Sequence, residues 1–154
     1  MLVGDVMDPE PPTISLDGTF RQAAELFTQR QTSELVVIDQ GRFAGILSEG
    51  DLLRALLPDF EPMTKSVAGV SLEEACNLFL ESGRFNAERK ISSLVLTRPI
   101  SLAPDDPLLK AATVMAAEHI SRLPVIAEGA VVGMLARAKI AQALLGERQA
   151  ASST

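Results

Sequence analysis

The chain contains one segment that occurs twice, in the same order and without gaps. The tripeptide Gly-Ile-Leu at residues 45–47 recurs as Gly-Met-Leu at 133–135, an offset of 133 − 45 = 88 positions. The same offset relates Leu-Val-Val-Ile at 35–38 to Leu-Pro-Val-Ile at 123–126. It also relates one set of spaced apolar residues to another: Phe20, Ala23, Ala24 and Phe27 to Leu108, Ala111, Ala112 and Met115. Three elements with one shared offset indicate an internal duplication and therefore two copies of one structural unit.

Each copy predicts the same order of elements. A short extended leading segment, Val3 to Met7 or Ile91 to Val95, precedes a helix with apolar residues at i, i+3, i+4 and i+7. In the second copy we expect Asp106 to cap this helix, with Pro107 at its first position. Two strands follow, at 35–38 and 43–47 or at 123–126 and 131–135, joined by short turns that contain glycine. A closing helix, at about 49–57 or 137–145, completes each unit.

The fold class is therefore α/β (α+β), with two copies of a unit that has a short leading strand, a helix, a two-strand sheet portion and a closing helix. We expect the first unit at 1–57, a linker at 58–90, the second unit at 91–146 and a flexible tail at 147–154.

The linker has a loop and then a helix. Pro58, Pro62 and Gly69 indicate the loop, and Ser71-Leu72-Glu73-Glu74 is a capping-box pattern. Gly83 predicts the end of the helix. One apolar face is expected to pack on the module or to lie at an oligomer contact, and it comprises Leu72, Ala75, Cys76, Phe79 and Leu80.

Composition argues against two classes of partner. The net charge is −6 and the chain has no Trp or Tyr, so neither a basic face nor a stacking platform for nucleic acid is expected. No uninterrupted apolar stretch reaches about 18 residues, so we expect no membrane span. The first residues lack the features of a signal peptide, and the chain has one cysteine, so we expect a cytoplasmic protein.

No combination of residues predicts catalysis. The sequence shows no nucleophile–base pair, no metal-ligand cluster and no Walker-type loop, so we assign no catalytic and no metal-binding residues and expect no enzyme. His119 is expected near a helix end, where a cation suits the dipole. Cys76 is expected to be a buried small hydrophobic residue.

Ser48 and Asp51 lie where the second strand meets the closing helix of the first copy. A helix N-terminus offers free N–H groups to phosphate, a serine hydroxyl adds a donor, and an aspartate one turn inside accepts hydrogen bonds from ribose hydroxyls. The same two residues also make an ordinary helix cap with an acidic first turn. The spacing by itself favours the cap and leaves both interpretations open.

Taken together, these motifs resemble a tandem pair of cystathionine-β-synthase (CBS) domains. The resemblance rests on Val3-Gly4-Asp5-Val6-Met7-Asp8-Pro9, on the strand at 123–126, and on 45–53 (GILSEGDLL), and it covers nearly the whole chain except the linker and tail. It implies two clefts between the copies that often bind AMP, ADP, ATP or S-adenosylmethionine, with no cofactor required. It also implies a homodimer that regulates a protein target, here unidentified.

The resemblance further implies which residues line the cleft beside Asp51. They come from both copies: Ser33, Glu34, Ile46 and Ser48, with Val95, Ile100, Ile120 and Ser121. Glu34 stands where related sites often carry a basic residue that faces phosphate. An acid there favours AMP, an adenosyl compound or no nucleotide.

The second cleft departs from the motif, because Ala136 and Lys139 replace the serine and the aspartate. We expect it to be empty or to bind differently, with Lys139 and Arg122 supplying positive charge and with Met7 and Met134 in its lining. Two functions therefore stay open: a sensor of an adenosine-type ligand, and a dimerisation scaffold that binds no nucleotide.

Overall fold

A computed structural model describes residues 1–57 and 71–146 of the chain. The predicted loop at Pro58, Pro62 and Gly69 and the predicted tail lie outside these residues. The described strands are β1 (Thr13–Ser15), β2 (Glu34–Asp39), β3 (Arg42–Ser48), β4 (Arg122–Ala127) and β5 (Ala130–Ala136). The described helices are α1 (Phe20–Arg30), α2 (Glu49–Leu56), α3 (Leu72–Asn86), α4 (Leu108–Glu118) and α5 (Arg137–Leu144). The predicted fold class is confirmed.

The chain forms two compact units, and neither is one continuous stretch. Among the described residues, unit A comprises 12–39, 44–57 and 71–97, and unit B comprises 1–11, 40–43 and 98–146. Each sequence copy therefore contributes its leading segment to one unit and its helices to the other.

Unit A is a small sheet with helices packed on it. Its sheet has the order β1-β2-β3, and β1 runs parallel to β2 with Ile14 opposite Val37. Thr19 caps α1 by accepting the backbone N–H of Gln22, which is half of a capping box. The buried core joins residues of α1, α2, all three strands and the leading segment of the second copy: Ile14, Phe20, Ala23, Phe27, Leu35, Val37, Leu47, Leu52 and Ile91.

Unit B repeats this arrangement around β4 and β5. These strands pair antiparallel, with Leu123 opposite Leu135, and Leu102 bridges in parallel to Val125 in the place that Ile14 takes in unit A. The turn between them places Glu128 and Gly129 at φ of 52° and 78°, as a two-residue hairpin turn requires. Its core consists of Val3, Leu102, Leu108, Ala111, Met115, Leu123, Val125, Leu135 and Ile140.

The two cores correspond residue by residue at the offset of 88. The one departure from simple repetition is the origin of the leading residue. Ile91, from the second copy, completes the core of unit A, and Val3, from the first copy, completes the core of unit B. Both side chains are fully buried.

The leading segments differ from the prediction of extended chain. Val3–Asp5 and Ile91–Leu94 are short 3₁₀ turns. In the first, the Asp5 carboxylate accepts the N–H of Leu2, and the Val3 carbonyl accepts the N–H groups of Val6 and Met7. These local bonds wind the segment into a turn, while the N–H groups of Val3 and Gly4 donate to the carbonyls of Asp106 and Pro104. The short leading strand is Thr13–Ser15 instead.

Asp106 does not cap a helix, contrary to the prediction. Helix α4 begins at Leu108 with Pro107 as its N-cap residue. The Asp106 carboxylate instead accepts the backbone N–H of Ala103 and pairs with Lys110. The Lys110 ammonium and the Ala103 N–H hold the pKa of Asp106 below its ordinary value. The carboxylate therefore closes the turn that precedes the helix.

Helix α3 corrects two further predictions. Its Ser71–Glu74 capping box is confirmed. The helix does not end at Gly83, because it continues to Asn86, whose amide donates to the carbonyl of Ser82 and whose carbonyl oxygen accepts from Arg89. Cys76 is exposed and not buried. None of the helices in the described part of the chain has the length and apolar character needed to cross a bilayer.

The exchanged core residues give a direct test. We expect Ile91→Ala to lower the free energy of unfolding by about 2–5 kcal/mol, because the truncation leaves a cavity in a close-packed core. Urea unfolding followed by circular dichroism measures the change. Ser92→Ala, at the exposed neighbouring position, is the control and should shift stability by less than about 0.5 kcal/mol. A loss below about 1 kcal/mol for Ile91→Ala would contradict the assigned role.

Candidate functional site

The N-terminus of α2 is built by Ser48. This residue ends β3 in an extended conformation, and its Oγ accepts the backbone N–H of Asp51 at 3.1 Å. The N–H of Glu49 donates to the carbonyl of Ser33 at 3.0 Å. Ser48 is thus a helix cap, as one of the two interpretations held. A serine hydroxyl that accepts through its oxygen still has its own proton to donate.

A cavity of about 490 Å³ opens beside this helix in unit A. Its size falls within the range typical of small-molecule sites, about 300–1,000 Å³. One wall comes from α2 and the other from the leading segment of the second copy. The lining residues are Asp51, Arg54, Ala55, Ser93, Leu94, Val95 and Leu96.

The two walls meet through a backbone contact that requires a glycine. Ile46 and Leu96 exchange backbone hydrogen bonds of 3.1 and 2.9 Å. Gly45 is buried against the same segment with φ of +156°, and a Cβ there would lie 2.6 Å from Cγ1 of Val95 and collide with the carbonyl of Leu96. The absence of a side chain at position 45 therefore lets Val95 and Leu96 lie beside the GILSEGD motif.

Charges in the cavity belong to two neighbouring side chains of α2. The carboxylate of Asp51 forms an ion pair with the guanidinium of Arg54, one helical turn away. The side chain of Asp51 is 38% exposed and that of Arg54 is 73% exposed, so both reach solvent in the cavity mouth. Beside the first turn of α2, where the Ser33 carbonyl accepts the N–H of Glu49, the Ser33 hydroxyl donates to the Glu34 carboxylate at 2.7 Å. A ligand would meet one acid and one base on α2.

The predicted cleft residues divide between the two units. Unit A holds a half-buried set: Ser33, Glu34, Ile46, Ser48, Asp51 and Val95. Unit B holds Ile100, Ile120 and Ser121 of the first predicted cleft and all four residues of the second, Met7, Arg122, Met134 and Lys139. Of the unit A set, Asp51 and Val95 line the cavity. Their joint membership in one ligand site stays a prediction.

Sequence reasoning missed five lining residues. Arg54 could have been found, because a cation three positions after an acid lies on the same face of a helix. Ala55, four positions after Asp51, shares that helix face and could have been found in the same way. The other three, Ser93, Leu94 and Leu96, follow from the position of the leading segment, which the sequence pattern does not give.

The matching helix start in unit B keeps the geometry and changes the chemistry. Arg137 donates its N–H to the carbonyl of Ser121, as Glu49 does to Ser33. Met134 exchanges backbone bonds with Asp8, and a Cβ at Gly133 would lie 2.8 Å from the Asp8 carbonyl. Ala136 at the N-cap makes no side-chain bond.

Within residues 1–57 and 71–146, no group of three or more His, Cys, Asp and Glu side chains is placed to hold a metal ion.

Comparison with known proteins identifies both halves of the chain. The model of the CBS domain matches residues 3–58 and 91–146. The chain is 26% identical to uncharacterized protein MJ1426 of Methanocaldococcus jannaschii over 155 residues, covering 94% of this chain and 92% of that protein. It is 24% identical to the CBS domain-containing protein YhcV of Bacillus subtilis over 151 residues, covering 98% and 91%.

Solved structures share the fold. The AMP complex of CBSX2, a CBS-pair protein of Arabidopsis thaliana, superposes with a TM-score of 0.70 at 23% identity, covering 94% of this chain and 96% of that one. The CBS domain pair of MJ0100, in complex with 5′-methylthioadenosine and S-adenosyl-L-methionine, gives 0.66 at 21% identity, covering 96% and 98%. At 23% and 21% identity, the structural similarity establishes that this chain shares the fold of these proteins.

Ser48 caps α2 with its side chain, and Ala136 makes no such bond at α5. Exchanging the two residue types should therefore change stability in opposite directions. Ser48→Ala should lower the free energy of unfolding by about 0.5–2 kcal/mol, because the N–H of Asp51 loses its acceptor. Ala136→Ser should raise it by up to about 1 kcal/mol, since the extended backbone at position 136 already suits a cap. Urea unfolding of both variants tests the pair. Equal effects of the same sign would contradict the assignment of Ser48 as a cap.

Proposed function

This chain belongs to the CBS domain family, and from that premise we propose that it is a regulatory module that binds an adenosine-type ligand at the cavity beside α2. We further propose that it acts without catalysis, as a cytoplasmic homodimer that signals to a separate protein.

The relatives agree on the adenosyl part of the ligand. CBSX2 is described in complex with AMP, and MJ0100 in complex with 5′-methylthioadenosine and S-adenosyl-L-methionine. These ligands share adenine and ribose and differ in what is attached to the sugar. A site that reads the shared part needs an apolar slot for the base and acceptors for the ribose hydroxyls.

The observation that carries the proposal is that one cavity combines those two features. Leu94, Val95 and Leu96 provide apolar surface, and Asp51 provides the carboxylate. Both oxygens of an ionised carboxylate accept hydrogen bonds, so Asp51 can hold a ribose diol while still facing Arg54. The remaining proton of the Ser48 hydroxyl can be donated to the ligand.

Charge at the site favours a ligand with few phosphates. Arg54 has further N–H donors beyond those facing Asp51, and the N-terminus of α2 attracts an anion. A single phosphate can be matched by these groups. Glu34 adds a negative charge next to Ser33, whose carbonyl is bonded to the first turn of α2. Because longer phosphate chains carry more negative charge towards that acid, we expect AMP or an adenosyl compound to bind more tightly than ATP.

Signalling requires the ligand to bind one arrangement of the protein better than another. The cavity is suited to this, since its walls belong to different copies of the repeat. Helix α2 follows the first copy's strands, and residues 93–96 open the second copy. A ligand that contacts both walls would stabilise one distance between them.

A scaffold that binds no nucleotide is the second candidate. It is favoured by the N-cap at Ala136, which lacks a side-chain bond, and by Lys139 in the place of the second aspartate. These changes leave unit B without the polar pair that the first proposal assigns to unit A. The following experiment separates the two functions.

Thermal unfolding of the purified chain with AMP, ADP, ATP and S-adenosylmethionine tests the sensor. A ligand that binds the folded state alone raises the melting temperature by several degrees at about 100 times its Kd. Asp51→Ala should weaken that ligand by about 10- to 100-fold, the worth of a hydrogen bond to a charged group. Asp17→Ala, which removes an exposed acid from the same unit, should leave binding unchanged. If none of the four ligands raises the melting temperature, the scaffold function is favoured instead.

The role of Arg54 is tested by comparing a charged and an uncharged ligand. Arg54→Gln should weaken AMP by about 10-fold and leave adenosine unchanged, because the guanidinium is assigned to the phosphate. Isothermal titration of both ligands against both proteins measures this difference. An equal loss for AMP and adenosine would instead mean that Arg54 acts by orienting Asp51.

A further inference from the structure

Helix α3 exposes more apolar surface than a surface helix usually does. One side of it rests on α2, where the Ser82 hydroxyl donates to the carbonyl of Leu56 and Asn86 is 8% exposed. Its large apolar side chains lie elsewhere and are exposed by 44–86%: Leu72, Leu78, Phe79, Leu80 and Phe85. Apolar side chains exposed this far usually mark an interaction surface.

Four of the exposed residues form one continuous stripe. Leu72, Cys76, Phe79 and Leu80 follow the spacing i, i+4, i+7 and i+8, which places them on a single face of the helix. Leu72 is 83% exposed, Phe79 44% and Leu80 55%, and Cys76 is exposed as well. We call this set the α3 stripe.

The α3 stripe is bordered by an acid near one end and a base near the other. Glu73 and Arg84 are both exposed. They are separated by 11 residues, which at about 100° per residue brings them to within about 20° of each other around the axis, on the flank next to Leu80. The face therefore carries opposite charges at its two ends.

We propose that the α3 stripe contacts α3 of a second copy of the chain, with the two helices antiparallel about a twofold axis near residues 78 and 79, so that Phe79 and Leu80 of the two copies meet at the axis. In that pairing Glu73 of each copy faces Arg84 of the other, so the surface is complementary to itself, as a twofold interface requires. In a parallel twofold pair this flank of one helix would lie on the opposite side from the same flank of the other, so Glu73 would not meet Arg84. Antiparallel helices also oppose their dipoles favourably.

This interface is the contact surface of the homodimer that the proposed function includes. It rests on the proposed function only in requiring that homodimer. Neither the interface nor its test depends on ligand binding. A stripe of four residues is far smaller than the roughly 20–30 residues per partner of a standard interface, so we expect a reversible dimer.

Sedimentation velocity of the full chain at increasing concentration provides the test. The wild-type chain should dimerise, and Leu80→Glu should raise the dimer dissociation constant at least 10-fold. Phe85→Glu is the matched control, because Phe85 is 86% exposed on the same helix but lies outside the stripe; it should leave the constant unchanged. Circular dichroism checks that both variants fold.

Exchanging the charges at positions 73 and 84 tests the antiparallel orientation of the two helices. Glu73→Arg or Arg84→Glu should each weaken the dimer, and the double variant Glu73→Arg/Arg84→Glu should restore it. Cys76, the sole cysteine of the chain, should link two copies through a short bis-maleimide, and Cys76→Ser should abolish the link. A chain that stays monomeric, or a dimer that Leu80→Glu does not weaken, would overturn the proposal, whether or not the chain binds a nucleotide.

Discussion

The structure depends on the burial of one aliphatic residue from each leading segment in the core built by the other copy. Ile91 donates its N–H to the carbonyl of Gly18, and Val3 donates to the carbonyl of Asp106, at 2.9 Å in both units. Gly18 and Asp106 occupy equivalent positions of the repeat. Each core thus gains a fully buried side chain and a satisfied backbone donor from a distant part of the chain.

The candidate site follows from that exchange. Once Ile91 is fixed in the core of unit A, the next residues of the chain run past β3, where Leu96 pairs with Ile46 over the bare backbone of Gly45. The apolar wall at Val95 and Leu96 therefore comes to lie beside Asp51. A single packing constraint in the core places two chemically different surfaces at one cavity.

Unit B shows that the arrangement does not need the motif's polar residues. It keeps the equivalent backbone contacts of Met134 with Asp8 and of Arg137 with Ser121. It lacks the hydroxyl at the N-cap. The shared geometry is thus maintained by apolar packing and backbone hydrogen bonds, and it does not depend on a serine and an aspartate at these two positions.

The sequence by itself determined the local elements of this protein: the duplication, the strands around residues 35–47 and 123–135, the closing helices, and the capping box at Ser71. These follow from hydrophobic periodicity and from side chains that bond within three residues. It also indicated Asp51 and Val95, through the family's motif. Only the tertiary structure decided that Ile91 and Val3 exchange cores, that Asp106 serves Ala103, that Leu94 and Leu96 join the cavity and that Cys76 is exposed. The reason is physical. Burial and long-range hydrogen bonds depend on which distant segments meet, and the two copies carry nearly equivalent apolar patterns that do not specify which leading segment fills which core.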